Sequence, residues 1–368
     1  MGGVSDLPDD ALSALPIRDD LRGLTPYGAP QASVPVALNV NENTHPVPQD
    51  VADDILDAIS RALRDINRYP DREFTALRES FAQYLGHGLT AEQIWAGNGS
   101  NEVLQHVLQA FAGPGRSAFG FSPTYSMYPL LTRGTGATWI AGGREHDYSL
   151  SPEFAAAQVA EADPDVVFLC SPNNPTGTPL SLEVIEAVYD ASRGVVVVDE
   201  AYGEFAPHEE RSALTLLPGR PRLAVSRTMS KAFAFAGARV GYLAASPAFI
   251  DALRLVRLPY HLSALTQAAA LAALAHADVM LATVDDIVQQ RDRMGATLSA
   301  LGYEPFESWT NFILFGGVAD PQATFRALFD RGVLVRDVGI PGTLRVSAGT
   351  EEETTEFLEQ LASVRSQA

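Results

Sequence analysis

One lysine stands among residues that could do chemistry together, in the stretch RLAVSRTMSKAFAFAGARVGY at 222–242. An apolar run leads into Thr228, Ser230 and Lys231, and Arg239 follows eight residues after the lysine. The pattern predicts a strand that delivers Lys231 to a turn. An amine held there can form a Schiff base with an aldehyde, while the hydroxyls and the guanidinium can hold a phosphate. A solvated lysine near an ordinary turn would give the same letters, so the other motifs decide.

The order of the predicted elements says how such residues would be positioned. From about residue 93 the chain repeats strand, turn and helix, which favours an α/β fold with a mainly parallel sheet. The turns after the strands hold nearly all the unusual polar residues, in keeping with the rule that ligands bind at the carboxyl ends of strands. The predicted strands before the lysine segment are the start of IWAGNGSNE, SAFGF at 117–121, ATWIA at 137–141, DVVFLC at 165–170 and GVVVVDEAY at 194–202.

Composition excludes several classes of function. The chain has 368 residues and a net charge of 26 − 45 = −19, which argues against nucleic acid or an anionic membrane as the main partner. Cys170 is the single cysteine, and the seven histidines show no metal-ligand spacing, so neither a disulfide nor a metal site is expected. No stretch reaches the roughly 18 apolar residues of a membrane span, and the first residues are unlike a signal peptide. We therefore expect a cytoplasmic protein.

The domain organisation follows from shifts in composition. Residues 1–34, rich in Pro, Gly and Asp, are predicted to be an N-terminal arm. Helical spacing at 50–66 and a second helix at 74–85 open a large domain that we place at 50–260. A smaller α/β domain is assigned to 35–49 and 261–368, joined to the large one by a long helix near 263–295.

Two strand-end motifs fit an anionic, ring-bearing cofactor. GNGSNE at 97–102 puts Ser100 and Asn101 where a helix begins, so free backbone N–H groups can cradle a phosphate, although a simple N-cap fits as well. Asp199 ends the most apolar strand, where a carboxylate is costly without a partner. A protonated ring nitrogen is one such partner, and a helix N-cap or a structural ion pair is another. Pyridoxal 5'-phosphate would use the lysine, the cradle and the carboxylate together.

Three further residues could contact the ring of that cofactor. Tyr202 and Asn174 can donate to its phenolic oxygen, and Tyr125 offers an aromatic face for stacking. Each is weak evidence alone, since Asn-Pro turns and buried tyrosines are common.

Taken in order, these motifs resemble the fold-type I pyridoxal-phosphate aminotransferases (class I and II). The signals are GNGSNE, SPTYSMY, SPNNPTG, VVDEAYGEF, SRTMSKAFAFAGARVGY and TLRVSAGT, spread over essentially the whole chain. Within that group the chain looks most like the histidinol-phosphate aminotransferase family, through LTPYGAP, LNVNENTHP, NRYPD, LVRLPYHLS and LVRDVGIPG. One departure is NENTHP, where that family usually reads NENP. The resemblance implies a mainly parallel seven-stranded sheet in the large domain.

The resemblance also implies a role for each matching residue. Lys231 would be the Schiff-base lysine, Asp199 would pair with the ring nitrogen, and Tyr125 would stack on the ring. Asn174 and Tyr202 would face the phenolic oxygen. The phosphate would be held by Ser100, Asn101, Thr228, Ser230 and Arg239.

Other carried-over roles concern a neighbouring subunit and the substrate. Tyr69 would reach the phosphate of the neighbouring subunit's cofactor, which implies a homodimer with shared active sites. Arg345 would hold the anionic end of the substrate. Tyr27, Asn43 and Arg336 would be further substrate contacts.

The implied reaction is transamination between L-histidinol phosphate and 2-oxoglutarate in histidine biosynthesis. An aromatic amino acid aminotransferase would share every cofactor residue, and a pyridoxal-phosphate-dependent amino-acid phosphate decarboxylase would look similar. A transcription regulator would need a basic DNA-binding module, whereas the arm is short and acidic. A cofactor-free scaffold fits poorly with so many polar groups at strand ends. Tyr27, Tyr260 and His261 are candidates for an imidazole pocket, although ordinary packing also explains Tyr260 and His261.

Overall fold

The computed structural model describes residues 14–24, 26, 28, 30–207 and 212–366. A seven-stranded sheet forms its centre, in the order β2-β8-β7-β6-β5-β3-β4, and only β8 runs antiparallel to its neighbours. Its strands are β2 Ile94–Gly97, β3 Ser117–Ser122, β4 Thr138–Gly143, β5 Val166–Cys170, β6 Val195–Asp199, β7 Leu223–Thr228 and β8 Gly241–Ala245. This arrangement confirms the α/β fold with a mainly parallel sheet.

The middle of the sheet is buried on both faces. Strands β5 and β6 are buried at every position, as their uninterrupted apolar runs predict for parallel strands covered by helices. Among the described residues, seven α-helices precede residue 260, and the helices that cover the sheet are among them. They are α1 Gln49–Leu63, α2 Thr75–Leu85, α3 Ser100–Phe111, α4 Met127–Gly134, α5 Pro152–Ala162, α6 Leu182–Ala191 and α7 Pro247–Arg254. Short 3-10 turns lie at Asp19–Leu21, Ala91–Gln93, Gly203–Phe205, Ala213–Leu216 and Ala236–Ala238.

The C-terminal part of the chain builds a second hydrophobic core. Its apolar side chains include Ile287, Phe312, Leu344 and Phe357, and Tyr202 from the large sheet's edge packs with them. The strands here are β1 Val36–Ala37, β9 Glu304–Pro305, β10 Phe312–Gly316, β11 Val333–Leu334 and β12 Leu344–Ser347. The helices are α8 Ala264–Ala275, α9 Ala277–Leu281, α10 Val284–Ala300, α11 Pro321–Phe329 and α12 Glu351–Ser366.

The prediction of one long helix near 263–295 is wrong. The chain leaves helical geometry at His276 (φ −114°, ψ 29°), and α8 makes an angle of 79° with the stretch 277–300. The break lets α8 pack on α1 in the first core, while α10 delivers Ile287 and Met294 to the second. One straight helix could not reach both cores.

Among the described residues no single helix has the length and apolar character to cross a bilayer. The pair 264–275 and 277–300 passes that test of length and composition only when its two bent pieces are taken together.

Candidate active site

A cavity of about 160 Å³ opens where β5, β6 and β7 end, beside the second core. The parallel strands all present their carboxyl ends at this edge, so side chains far apart in sequence meet there. Twelve of the residues singled out in the sequence line it: Ser100, Asn101, Tyr125, Asn174, Asp199, Tyr202, Thr228, Ser230, Lys231, Arg239, Arg336 and Arg345.

Lys231 lies on the turn after β7 and is the only lysine among the 368 residues. Its Nζ donates to the carbonyl oxygen of Val40 at 3.1 Å. Burial, helped by the nearby charge of Arg345, lowers the pKa of this amine to about 8. A larger fraction of Lys231 is therefore neutral near physiological pH than for a lysine in water, and a neutral amine is a nucleophile and a base.

Asp199 ends β6 and is 2% exposed. The hydroxyl of Tyr128 donates to its Oδ2 at 2.9 Å, while Oδ1 is buried without a hydrogen bond of normal geometry. Burial raises the pKa of Asp199 to about 6, and the Tyr128 hydroxyl opposes that rise. A buried acceptor without a donor is costly unless a ligand supplies one. A protonated ring nitrogen would supply it, so Asp199 fits the pyridine ring of pyridoxal 5'-phosphate.

The side of the cavity that is expected to hold a phosphate is built from a helix start and a tight loop. Helix α3 begins at Ser100, so its first N–H groups and its dipole face an anion. Thr228 Oγ1 donates to Ser230 Oγ at 3.0 Å, and Arg239 Nη1 donates to the same Ser230 Oγ at 3.4 Å. A Cβ built on Gly99 would lie 2.4 Å from Arg239 Nη2, so the loop approaches the guanidinium as closely as glycine allows. The groups present fit a phosphate.

A hydrogen-bond network runs from Tyr202 to the second core. Asn41 Nδ2 and Asn174 Nδ2 both donate to the Tyr202 hydroxyl, at 2.9 and 3.3 Å. Arg345 Nη1 donates to Asn174 Oδ1 at 2.5 Å, and its Nη2 donates to the Asn39 carbonyl at 2.9 Å. The network therefore links Tyr202, which is expected to face the cofactor ring, with Arg345, which is expected to hold the anionic end of the substrate.

Two arginines lie side by side at one end of the cavity. Arg345 lies in β12, and its backbone and that of Arg336 exchange both of their N–H···O bonds at 2.9 Å in an isolated antiparallel bridge. Both side chains line the cavity. Two guanidinium groups there make a positive site within an acidic protein, suited to a phosphate or a carboxylate.

Three singled-out residues lie elsewhere. Asn43 is outside the cavity lining, and its Nδ2 donates to Ala232 O at 3.2 Å and Thr283 Oγ1 at 3.0 Å. Tyr69 is 80% exposed and stacks on Tyr260 with ring centroids 4.4 Å apart. Tyr27 lies outside the described residues.

The candidates for an imidazole pocket also do not line this cavity. The Tyr260 ring faces Tyr69, and His261 Nε2 lies 2.9 Å from the carbonyl oxygen of Ala96. His261 also stacks on Trp95 with ring centroids 5.6 Å apart. These contacts are the packing that the sequence equally allowed.

Sequence reasoning missed six residues of the site and its surroundings. Five line the cavity, namely Asn39, Val40, Asn41, Cys170 and Ala201, and Tyr128 donates a hydrogen bond to Asp199 from outside the lining. The sequence LNVNEN shows both asparagines, Asn39 and Asn41, but the bends at residues 39 and 40 and the positive φ of Asn41 (57°) that bring them to the cavity have no mark in its pattern. Over the described residues, no group of three or more His, Cys, Asp or Glu side chains could hold a metal ion.

The chain is similar to known proteins along nearly its whole length. Residues 34–361 match the model of the family described as aminotransferase class I and II. The histidinol-phosphate aminotransferase of Paenarthrobacter aurescens is 62% identical over 96% of this chain and 96% of its own length. The Thermobifida fusca protein of the same name is 53% identical over 97% of this chain and 98% of its own length.

A solved structure shares the fold. The histidinol-phosphate aminotransferase of Sinorhizobium meliloti, in complex with pyridoxal 5'-phosphate, superimposes with a TM-score of 0.85 at 26% identity. The match covers 97% of this chain and 100% of that one.

Proposed function

This chain belongs to the aminotransferase class I and II family, and from that premise we propose that it transfers the amino group of L-histidinol phosphate to 2-oxoglutarate. The products are imidazole-acetol phosphate and glutamate, and the reaction is a step of histidine biosynthesis. Its near full-length relatives carry the name of that activity. The observation that carries the proposal is that Lys231, the only lysine, lines the same cavity as Asp199, whose buried Oδ1 has no hydrogen bond of normal geometry.

The cofactor is pyridoxal 5'-phosphate. When bound it supplies an aldehyde carbon that joins amines and a protonated ring that accepts electron density. Lys231 would carry it through Nζ, and Asp199 would hold the ring nitrogen. Tyr202 and Asn174 would bind the phenolic oxygen, and Tyr125 would stack on the ring. The phosphate would be bound by Ser100, Asn101, Thr228, Ser230 and Arg239.

Lys231 has two tasks, and its surroundings suit both. Its Nζ would attach the aldehyde of the cofactor, and when not so attached it could accept a proton from the substrate carbon. Forming an imine and accepting a proton both require the uncharged amine. The lowered pKa of Lys231, caused first by burial, supports this role.

Arg345 and Arg336 would bind the anionic end of each substrate. Histidinol phosphate lacks a carboxylate and carries a phosphate, whereas glutamate and 2-oxoglutarate carry carboxylates. A guanidinium fork binds either anion. Because Asn174 Oδ1 and the Asn39 carbonyl hold both terminal nitrogens of Arg345, that fork is oriented before the substrate arrives.

We further propose a cytoplasmic homodimer in which Tyr69 completes the partner's phosphate site. Tyr69 is exposed and outside its own chain's cavity, and it stacks on Tyr260. Leu255 and Leu258, which precede Tyr260 in the chain, are 86% and 74% exposed. Large apolar side chains so exposed suit a surface that another copy covers. A single cysteine, with no disulfide to form within the chain, suits a reducing compartment.

A spectroscopic titration tests the activity. The protein loaded with cofactor is mixed with histidinol phosphate, glutamate or phenylalanine, and the loss of the visible absorbance of bound cofactor is followed. We expect fast loss with histidinol phosphate and glutamate. A wide preference for phenylalanine would identify an aromatic amino acid aminotransferase, and release of carbon dioxide would identify a decarboxylase.

The single lysine makes the attachment test sharp. Borohydride reduction should fix one cofactor mass on the peptide that contains Lys231, since the only other primary amine is the chain's N-terminus. The Lys231→Arg variant is the matched control and should show no such mass on that peptide. An unlabelled wild-type peptide would refute the assignment of Lys231.

A further inference from the structure

Tyr128 is a fully buried residue just behind the cavity wall. It is the second residue of α4, and its ring stacks on Phe168 of β5 with centroids 4.7 Å apart and planes 9° from parallel. Its ring also meets that of Tyr125 edge-on at 5.4 Å. The phenol is therefore held from two sides, and its hydroxyl is aimed at Asp199 Oδ2, 2.9 Å away.

The hydrogen bond makes the two oxygens of Asp199 unequal. Oδ2 already accepts from Tyr128, whereas no hydrogen bond of normal geometry reaches Oδ1, although the backbone amide of Ala201 also acts to lower the pKa of Asp199. Burial and the Asp199 charge raise the pKa of Tyr128 well above its usual value, so the phenol keeps its proton. Tyr128 is therefore the donor in this hydrogen bond, and the charged carboxylate is the acceptor. The bond therefore favours the carboxylate over the carboxylic acid.

We propose that Tyr128 is a positioning residue for Asp199, which orients its free oxygen toward the cofactor and keeps the shared proton on the ring nitrogen. This inference rests on the proposed function, since it concerns how the chain holds pyridoxal 5'-phosphate. A hydrogen bond that stabilises the carboxylate makes Asp199 a weaker base. A proton placed between Asp199 and the ring nitrogen then stays on the ring, which needs it in order to accept electrons.

Other titratable groups near Asp199 do not replace this bond. Cys170 lies at the end of β5 and its thiol has a pKa raised to about 12 by burial, so it stays neutral. Glu200, next in the chain, raises the pKa of Asp199, and its carboxylate is directed to Arg227, Ser212 and the Ala213 amide. Among the described side chains that surround Asp199, Tyr128 is the one that donates to it.

The test is Tyr128→Phe in the cofactor-loaded protein, with Tyr242→Phe as the matched control. Tyr242 is equally buried and stacks on Phe81 with centroids 4.1 Å apart, but it does not line the cavity. The ring nitrogen of the cofactor is labelled with ¹⁵N, and its NMR chemical shift reports whether it carries a proton. The Kd of the cofactor is measured in parallel by absorbance.

We expect the wild type and Tyr242→Phe to show a protonated ring nitrogen, and Tyr128→Phe to shift toward the unprotonated position. The cofactor Kd should rise about tenfold in Tyr128→Phe, as for the loss of a hydrogen bond to a charged group. A wild-type ¹⁵N shift and Kd in Tyr128→Phe would overturn the inference. If the wild type itself binds no cofactor at Lys231, the proposed function fails instead.

A second variant covers the case in which Tyr128→Phe does not fold. Replacing Tyr128 by 3-fluorotyrosine keeps the ring and its packing but makes the hydroxyl a stronger donor. The cofactor Kd should then fall below that of the wild type. An unchanged or higher Kd would count against Tyr128 acting through its hydrogen bond.

Discussion

Replacing Gly99 by alanine should weaken cofactor binding by displacing Arg239, without replacing any residue that lines the cavity. Gly99 caps α3 with φ 82° and ψ 163°, a region that is nearly exclusive to glycine. A Cβ there would lie 2.4 Å from Arg239 Nη2 and 3.1 Å from its Cζ. Ordinary contact begins near 3.4 Å, so the guanidinium must retreat by about 1 Å.

The magnitude has two separable parts. The backbone strain should lower the free energy of unfolding by about 2 kcal/mol. Displacing Arg239 from the phosphate should cost one charge-assisted hydrogen bond, worth about 1.5 to 3 kcal/mol, which raises the cofactor Kd about 10- to 100-fold. The effect on Kd should exceed any effect on kcat at saturating cofactor, because Lys231 and Asp199 are untouched.

Two matched glycine variants isolate the cause. Gly88 has φ 68° with nothing within 4 Å of a built Cβ, so Gly88→Ala carries backbone strain without a clash. Gly237 lies in the same loop as Arg239, has no such φ and faces open space, so Gly237→Ala carries neither. Urea unfolding of the apo-protein and cofactor titration by absorbance give the two quantities. A Kd for Gly99→Ala within twofold of that for Gly88→Ala would refute the reasoning.

Three further outcomes follow from the site. In the apo-protein, Lys231→Met should raise the free energy of unfolding at pH 7 by about 2 kcal/mol. The lowering of the Lys231 pKa from 10.5 to about 8 corresponds to about 3 kcal/mol. We reduce this free energy to about 2 kcal/mol because the Lys231 residue is of intermediate exposure. Below pH 8 the folded state carries the full cost of the Lys231 charge, and above pH 10.5 Lys231 is uncharged in both the folded and the unfolded state. Urea unfolding should therefore show that the stability gained by Lys231→Met fades as the pH rises from 8 past 10.5. A gain in stability that persists at high pH would contradict the lowered pKa as its cause. Arg345→Lys should lower kcat/KM for both histidinol phosphate and 2-oxoglutarate about a hundredfold, because a lysine cannot form the fork. Steady-state kinetics that change for one substrate alone would show that Arg345 does not serve both. Mixing Tyr69→Ala and Lys231→Ala subunits, each nearly inactive, should restore about a quarter of the wild-type activity, since half the dimers are mixed and each has one intact site. No recovery after verified subunit exchange would exclude shared sites.

Much of the fold could be predicted because most strands of the large sheet carry a local signal of their own. The runs at Val166–Cys170 and Val195–Asp199 are apolar throughout, and such runs are typical of strands covered on both faces. β8 was missed, since GYLAA at 241–245 follows a small-residue stretch without turn signals and its antiparallel direction has no mark in the sequence. The break at His276 was missed for a similar reason, because alanine-rich residues on both sides of it favour helix equally.

The amino-acid sequence by itself determined which side chains end the strands, and therefore that Lys231, Asp199 and the residues proposed to bind phosphate share one edge of a parallel sheet. Only the tertiary structure decided their partners. Tyr128 and Asp199 are 71 residues apart, and Asn41 and Tyr202 are 161 apart. Hydrogen bonds of a few ångströms depend on how whole helices and strands pack, whereas periodicity and turn residues report only on neighbours within a few positions.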